Sequence, residues 1–410
     1  MKIILLCVMI FFGLLLIYYS ILTVSGIYFR QKKQIRKPLN EYPSVAILIP
    51  AHNEGIVIRD TLEAMLKLTY PGQMDVYLLD DQSTDDTADI GRVFSSFFKN
   101  CHYVQVPDGN PKGKSRVLNY GLSITKSDYF IVYDADNQPN ADALKLLVEV
   151  AEQTPNAAGA IGYVRTINQE KNLLTRMISI EFQVFQLLMQ CGRWALFKTG
   201  SLPGTNMLLK RSVIEEVGGY DPYALAEDAE LTIRITARDY LLPIVPEAET
   251  WEQEPENLKV FIKQRTRWLI GNLYLLEKLF YDPTYWRGKV LYHTGQHLLT
   301  YFFFVIMLLF SNVWFVLSLV GVDLPVLTQP LIMIWFLSYM VFSFQVIGSM
   351  IFNQNTSAIN LIVGMIMYFT YSQIFLILLV RAIYFYSISR LRGKTIAWDK
   401  TKRYKEEPVQ

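Results

Sequence analysis

Several acidic and basic groups in this chain have types and spacings that do chemistry on a charged substrate. Asp80-Asp81 and Asp134-Ala135-Asp136 each close a short apolar run. Carboxylates that converge on one crevice repel unless a cation joins them. Hard oxygen donors suit Mg2+ or Mn2+, and Mg2+ is usually held by one or two carboxylates together with substrate phosphates. Aspartates after strands also cap helices. That role suits Asp85 and Asp86 at the head of a helical run. It suits Asp134 and Asp136 poorly, because Asn137-Gln138-Pro139 delays the next helix. The loop Gly109–Ser115 carries Lys112 and Lys114 ahead of another helix, and a helix N-terminus beside a lysine is a phosphate site. It is not a Walker loop, and a solvated loop is the alternative.

Two more groups follow. Ala226-Glu227-Asp228 opens the apolar helix Leu231–Arg238. A carboxylate pair there is either a general base or an acidic first turn complementing the helix dipole, and the residues alone leave both open. In Gln264-Arg265-Thr266-Arg267-Trp268, residues 264, 267 and 268 fall at i, i+3 and i+4 on one helical face. An amide, a guanidinium and an indole there suit a diphosphate and a sugar ring, since arginine grips phosphate in a bidentate way. The alternative is a basic amphipathic helix on a membrane, with Arg265 and Arg267 among headgroups.

The elements that must position these groups show in the apolar pattern. Ser44–Pro50, Asp75–Leu79, Tyr103–Val106 and Tyr129–Tyr133 read as buried parallel strands. Glu54–Leu68, Ser83–Phe98 and Ser115–Ile124 between them read as helices. Such alternation predicts an α/β domain with a mostly parallel sheet and helices on both faces. Ligands of such sheets sit outside the carboxyl ends of the strands, where the acidic pairs fall.

Composition sets the frame. The 410 residues are 51% hydrophobic and only 19% charged, with mean hydropathy +0.21, which excludes a disordered, fibrous or purely soluble chain. Net charge of +2 gives no nucleic-acid footprint. Cys7, Cys101 and Cys191 form neither a CxxC pair nor a metal spacing, which places the soluble part in a reducing cytoplasm. Ile3–Phe29 carries no charge and reads as a transmembrane helix. The following Arg30, Lys32, Lys33, Arg36 and Lys37 hold residues 30–295 on the cytoplasmic side. Residues 296–390 form a membrane block of about three segments, His297–Val322, Leu324–Phe352 and Ile359–Ile388, with Arg381 able to snorkel near the end of the last. Residues 391–410 are a basic tail. Three simple crossings would put this tail outside, against its charge, so one late segment is expected to be re-entrant or interfacial, Asn360–Tyr371 first.

In order along the chain, these residues resemble the processive, membrane-bound glycosyltransferases of family 2, which include the synthases of cellulose, hyaluronan and poly-N-acetylglucosamine. The matching pieces are Pro50–Glu54, Asp80–Thr87, Lys114, Asp134–Asp136, Gly204–Asn206, Glu227-Asp228 and Gln264–Trp268, spread over about Val45 to Asn272. The resemblance implies a GT-A-like nucleotide-sugar-binding domain. It implies that Asp80 and Asp81, helped by Glu54, hold the uracil and ribose of a UDP-sugar, and that Lys114, Gln264 and Arg267 bind its diphosphate. Asp136, with Asp134, would hold Mg2+ or Mn2+. Asp228 would be the general base with Glu227 beside it. Gly204, Thr205 and Asn206 would line the acceptor site, and Trp268 would stack on the acceptor sugar. Ala226 departs from the threonine common in the cellulose and poly-N-acetylglucosamine synthases.

The expected activity is processive, inverting polymerisation of UDP-N-acetylglucosamine or UDP-glucose into a β-linked extracellular polysaccharide, with export through the membrane helices. Expected partners are the donor, the growing polysaccharide, membrane lipid and small accessory membrane subunits, and no nucleic acid. The rivals are a single-addition transferase acting on a lipid acceptor and a nucleotide-binding membrane scaffold or transporter. His293 and His297 have a metal-ligand spacing but no third ligand, and read as polar residues at a membrane entry. His52 reads as a loop residue, Tyr18, Tyr19 and Trp286 as interfacial anchors, and Trp398–Arg403 as a basic anchor rather than a gating segment.

Overall fold

The computed structural model describes residues 2–32, 36–320, 328–392 and 402–404. The first helix is α1 (Lys2–Gln31). The domain begins β1 (Val45–Ala51), α2 (Ile58–Leu66), β2 (Met74–Asp80), α3 (Thr87–Phe97), β3 (Cys101–Gln105), α4 (Lys114–Ile124) and β4 (Tyr129–Val132). It continues with β5 (Gln138–Pro139), α5 (Ala143–Gln153), β6 (Gly159–Thr166), α6 (Leu173–Phe185), α7 (Arg193–Phe197), β7 (Met207–Lys210), α8 (Arg211–Val217), α9 (Glu227–Thr236), β8 (Ile244–Glu252) and α10 (Leu258–Tyr281). Then come α11 (Val290–Leu298), α12 (Phe304–Leu319), α13 (Thr328–Phe352), α14 (Ala358–Met367) and α15 (Tyr371–Leu391). π-helical turns at Gln186–Gly192 and Leu299–Phe303 fuse α6 to α7 and α11 to α12.

The eight-stranded sheet has the order β3-β2-β1-β4-β7-β6-β8-β5. Strands β1 to β4 run parallel, as does the β6–β8 pair, while β7 and β5 are antiparallel to their neighbours. Side chains on adjacent strand positions point to opposite faces. Ile47 and Ile49 therefore pack with Leu62 and Leu144 on one face, and Leu48 with Leu79, Leu118 and Met207 on the other. Each such burial is worth about 1.5–3 kcal/mol. This two-sided core holds the carboxyl ends of β1, β2 and β4 side by side, and with them the loops bearing Glu54, Asp81 and Asp134.

Among the described residues, four helices are long and apolar enough to cross a membrane: Leu6–Gln31, Val290–Phe310, Met333–Phe352 and Tyr371–Leu391. The first three pack together around Val8, Phe12, Met307 and Trp335. The α1 helix also crosses the π turn at backbone contact. A Cβ on Gly26 would lie 2.3 Å from the Leu187 carbonyl oxygen, and one on Gly192 would lie 2.4 Å from that of Leu22. Arg30 then ties the end of α1 to the domain, donating to the Phe352 carbonyl (3.3 Å) and covering the Tyr163 ring at 4.9 Å. The expected single segment Ile359–Ile388 is instead two helices, α14 and α15, because backbone bonding breaks around Tyr368–Thr370. His293 is buried, with Nδ1 3.0 Å from Arg193 Nη2.

Candidate active site

The crevice is built on loops that reverse sharply at strand ends. Asn53 follows β1 with φ 56° and Gln82 follows β2 with φ 57°. Asparagine tolerates this left-handed conformation better than most residues. The turn after β1 is held by Asn53 Oδ1, which accepts from the Thr84 amide at 2.7 Å, and by the Glu54 amide, which donates to Thr87 Oγ1 at 2.8 Å. Asp85 accepts from the amides of Gly55 (2.9 Å) and Thr87 (3.1 Å) and so fills the expected local role at the head of α3, whereas Asp86, at the N-cap position itself, makes no side-chain cap bond.

Lys114, the first residue of α4, reaches across the crevice. Its Nζ donates to Asp134 Oδ1 at 2.6 Å and to the Gly204 carbonyl at 2.7 Å, and lies 3.7 Å from Glu227 Oε1. Burial pulls the Lys114 pKa down, but Asp134 and Glu227 outweigh it and the net shift is upward. The solvated-loop alternative therefore fails for Lys114. Arg116, two residues further along α4, pairs with Asp81.

Asp136 is 2% exposed. Its Oδ2 accepts from the Gln253 amide at 2.9 Å and from Arg403 Nη1 at 2.7 Å, while its Oδ1 is buried without a hydrogen-bond partner. Burial raises the pKa of Asp136 against the pull of Arg403. Burial and neighbouring acids likewise raise Glu252 well above the usual carboxylate range and Glu254 to about 8.

Asp228 stands at the N-terminus of α9. Burial and then Glu227 lift its pKa to about 7, with Lys114 pulling the other way. Gly204, at φ 88°, passes so close that a Cβ there would sit 3.3 Å from Asp228 Oδ2. Helix α10 packs against this turn: a Cβ on Gly271 would meet the Ala226 Cβ at 2.7 Å. A larger residue than alanine at 226 would need more room here, which gives the departure at Ala226 a local reason.

On α10, Gln264 Oε1 and Arg267 Nε are buried without hydrogen-bond partners. Arg267 stands in the field of Glu227, Asp134 and Asp228. Trp268 is clamped from behind, with the Arg265 guanidinium 4.1 Å from its ring centroid and Phe182 meeting it edge-on at 6.2 Å.

A family profile described as glycosyltransferase like family 2 matches residues 43–271. A probable glycosyltransferase of Bacillus subtilis, YdaM, is 39% identical over 378 residues, covering 90% of this chain and 89% of its own. The chain belongs to glycosyltransferase family 2. A poly-beta-1,6-N-acetyl-D-glucosamine synthase of Staphylococcus aureus is 27% identical over 284 residues, 66% of this chain and 68% of the synthase. Among solved structures, a mannosyltransferase from Pyrobaculum calidifontis in complex with GDP-Man and Mn2+ superposes with TM-score 0.61 at 17% identity, over 89% of this chain and 99% of that one. The fold is GT-A-like, and the protein is a glycosyltransferase.

The structure gathers Lys114, Asp134, Gly204, Glu227, Asp228 and Arg267, and Arg403 joins Glu54 to Asp136 beside them; Asp81 pairs with Arg116, and Gln264 and Trp268 stand on the stretch of α10 that carries Arg267. Three expected residues are turned away. Asn206 is fully buried, and its Nδ2 donates to the Tyr163 (3.1 Å) and Ala248 (2.8 Å) carbonyls, so it staples β6 to β8 rather than lining an acceptor site. Thr205 is 3% exposed and donates to Asn137 Oδ1 at 2.6 Å. Asp80 has both oxygens engaged, by the Ser83 amide (2.9 Å) and the Tyr103 hydroxyl (2.8 Å). Arg265 does not reach headgroups: it is 2% exposed and paired with Glu181 at 2.6 Å. Arg403 does not anchor the tail to a surface, because it lies on Asp136; Trp398–Thr401 lie outside the described residues. Residues missed by the sequence reading are Arg116, Glu252 and Glu254, while Arg265 and Arg403 were assigned to surfaces they do not reach. Only the Glu252-Gln253-Glu254 cluster, just ahead of the α10 motif, carried a local signal.

Proposed function

We propose that the chain is an inverting membrane transferase that adds the sugar of a UDP-sugar, UDP-N-acetylglucosamine or UDP-glucose, to the end of a β-linked polysaccharide. The observation that carries this is the setting of Asp228. A carboxylate whose pKa is lifted to about 7 faces the Gly204 turn. Its neighbour Glu227 shares Lys114 with Asp134, and Arg267 and Trp268 stand on the adjoining helix. A base poised near working pH takes a proton efficiently. Asp228 takes the acceptor hydroxyl proton as that oxygen attacks the anomeric carbon from the face opposite the diphosphate. Lys114 and Arg267 stabilise the charge left on the departing diphosphate. One displacement inverts an α-linked donor into a β-linked product, with no covalent intermediate and no cysteine. Trp268, locked by Arg265, offers a flat face to the acceptor sugar.

The orphaned Asp136 Oδ1, with Asp134 close by, fits a divalent cation. Among the described residues no three His, Cys, Asp or Glu side chains group closely enough to hold a metal alone. Asp134 and Asp136 would therefore hold Mg2+ or Mn2+ together with diphosphate oxygens, and the bound ion would neutralise charge on the leaving group. The Mn2+ of the Pyrobaculum enzyme supports this, and the Staphylococcus synthase supports an N-acetylglucosamine donor. The length and apolar composition of α1, α12 and α13 support a membrane-embedded protein, and the basic Arg30 and Lys32 support a catalytic domain on the cytoplasmic side.

One feature favours the second reading, single addition to a lipid acceptor. An apolar cleft of about 430 Å³ lies among Leu173, Met177, Leu258, Tyr371 and Ile374, at the head of α10. Purified protein supplied with single UDP-sugars and Mn2+ separates the two. Polymer sensitive to a β-linkage-specific hydrolase supports polymerisation, whereas a glycolipid bearing one or two sugars overturns it. Absence of UDP release with every donor overturns both.

A further inference from the structure

Helix α15 has the length of a membrane span: 21 residues, which is about 32 Å at about 1.5 Å per residue. Three independent observations argue against a crossing. First, both of its ends are tied to the same side. At the start, the Tyr371 hydroxyl donates to Glu181 Oε2 at 2.7 Å, the oxygen that also receives Arg265. At the other end, Arg390 Nε donates to Glu277 Oε2 at 2.9 Å, and Tyr386 bonds to the same carboxylate. Arg265 and Glu277 lie near opposite ends of α10, and α10 is fastened to the catalytic domain along its length. Asn257 caps its start, and Lys278 near its end binds Asp221 (2.7 Å) and Glu230 (3.0 Å). So α15 runs alongside α10 rather than away from the domain.

Second, Arg381 is the middle residue of α15, and it is exposed. In a crossing helix it would face lipid at the bilayer centre, where an unpaired guanidinium is strongly disfavoured. In a helix lying flat, its stem covers apolar surface while its head reaches the headgroups. Third, the tail beyond α15 returns to the catalytic crevice, where Arg403 binds Asp136.

The outer face of this pair is apolar. Ile377, Val380, Ile383 and Tyr384 of α15 are exposed, and Ile359, Ile362, Ile366 and Phe369 extend the surface over and just past α14. The preceding helix, α13, is one of the three packed spans, so this face continues directly from the part of the chain already in the bilayer.

We propose that α14 and α15, carried by α10, lie in the plane of the bilayer with this face in the catalytic-side leaflet. The chain then crosses three times, through α1, α11–α12 and α13, and its tail stays with the catalytic domain. This rests on the membrane embedding proposed above. It removes the conflict between a basic tail and an even number of crossings, and it sets the helix bearing Gln264, Arg267 and Trp268 at the lipid surface.

The test is labelling by a membrane-impermeant maleimide, in intact cells and in inverted vesicles, of the full chain in a Cys7→Ser background, since Cys101 and Cys191 are buried. Three added cysteines are compared: Phe97→Cys on the domain surface, Asp323→Cys between α12 and α13, and Gln410→Cys. Gln410→Cys is expected to label in inverted vesicles as fully as Phe97→Cys and to lose labelling in intact cells, with Asp323→Cys showing the opposite pattern. Labelling of Gln410→Cys only in intact cells means α15 crosses and overturns the proposal. Labelling of Asp323→Cys only in inverted vesicles means α12 and α13 do not cross, which overturns the embedding itself. UDP release measured on the same preparations reports separately on the catalytic reading.

Discussion

Arg403 Nη1 donates to Asp136 Oδ2 at 2.7 Å, so a residue of the C-terminal tail lies on the second acid of Asp134-Ala135-Asp136. A guanidinium there competes with any cation for the same carboxylate. Charge-assisted hydrogen bonds of this kind contribute about 1.5–3 kcal/mol. Arg403→Ala is therefore expected to lower the half-saturating Mn2+ concentration by about ten- to a hundredfold, read from a metal titration of UDP release. A rise would instead make Arg403 a ligand of the diphosphate.

Asp228 must be ionised to act. With its pKa lifted to about 7 by burial and Glu227, the turnover number should fall as pH drops through about 7 and level off above it. Glu227→Gln removes one of the two causes, so the acid limb should move to lower pH. A pH profile unchanged by Glu227→Gln would separate the limb from Asp228.

Arg265 is buried against Glu181, Phe182 and Trp268. Removing one partner of a buried pair costs about 3–5 kcal/mol. Glu181→Gln should therefore lower the unfolding temperature clearly. Trp268→Ala should spare UDP-sugar hydrolysis while shortening the product, as read on a sizing gel.

Gly204 has φ 88° and no room beside Asp228. A non-glycine residue in the left-handed region costs about 1–2 kcal/mol. Gly204→Ala should therefore reduce the turnover number far more than it lowers thermal stability, because the strain falls on the loop touching the base. Equal loss in both would point to a purely structural glycine.

The first half of the site was legible because strand periodicity and strand-end acids are local signals. The runs ending at Asp80 and near Asp134 emerge as β2 and β4, and Lys114 opens α4 as its loop suggested. The face shared by Gln264, Arg267 and Trp268 follows from helical spacing alone. What stayed hidden depends on distant partners. Nothing near Arg403 in sequence signals Asp136, and nothing near Arg265 signals Glu181. Asn206 looked like a loop residue, yet Gly162 leaves space for its amide between β6 and β8. Helix α15 has the composition of a span, and the contacts on which the in-plane proposal rests, with Glu181, with Glu277 and from Arg403 to Asp136, join residues far apart in sequence.

The central claim is a single displacement driven by Asp228, and the stereochemistry of the first product tests it most directly. Purified protein given an α-linked UDP-sugar and an acceptor should release a product whose new anomeric proton shows the large coupling of a β-linkage by NMR from the earliest turnover. The Asp228→Asn variant should make it at least about a hundredfold more slowly. An α-linked product, or full activity in Asp228→Asn, would contradict the account.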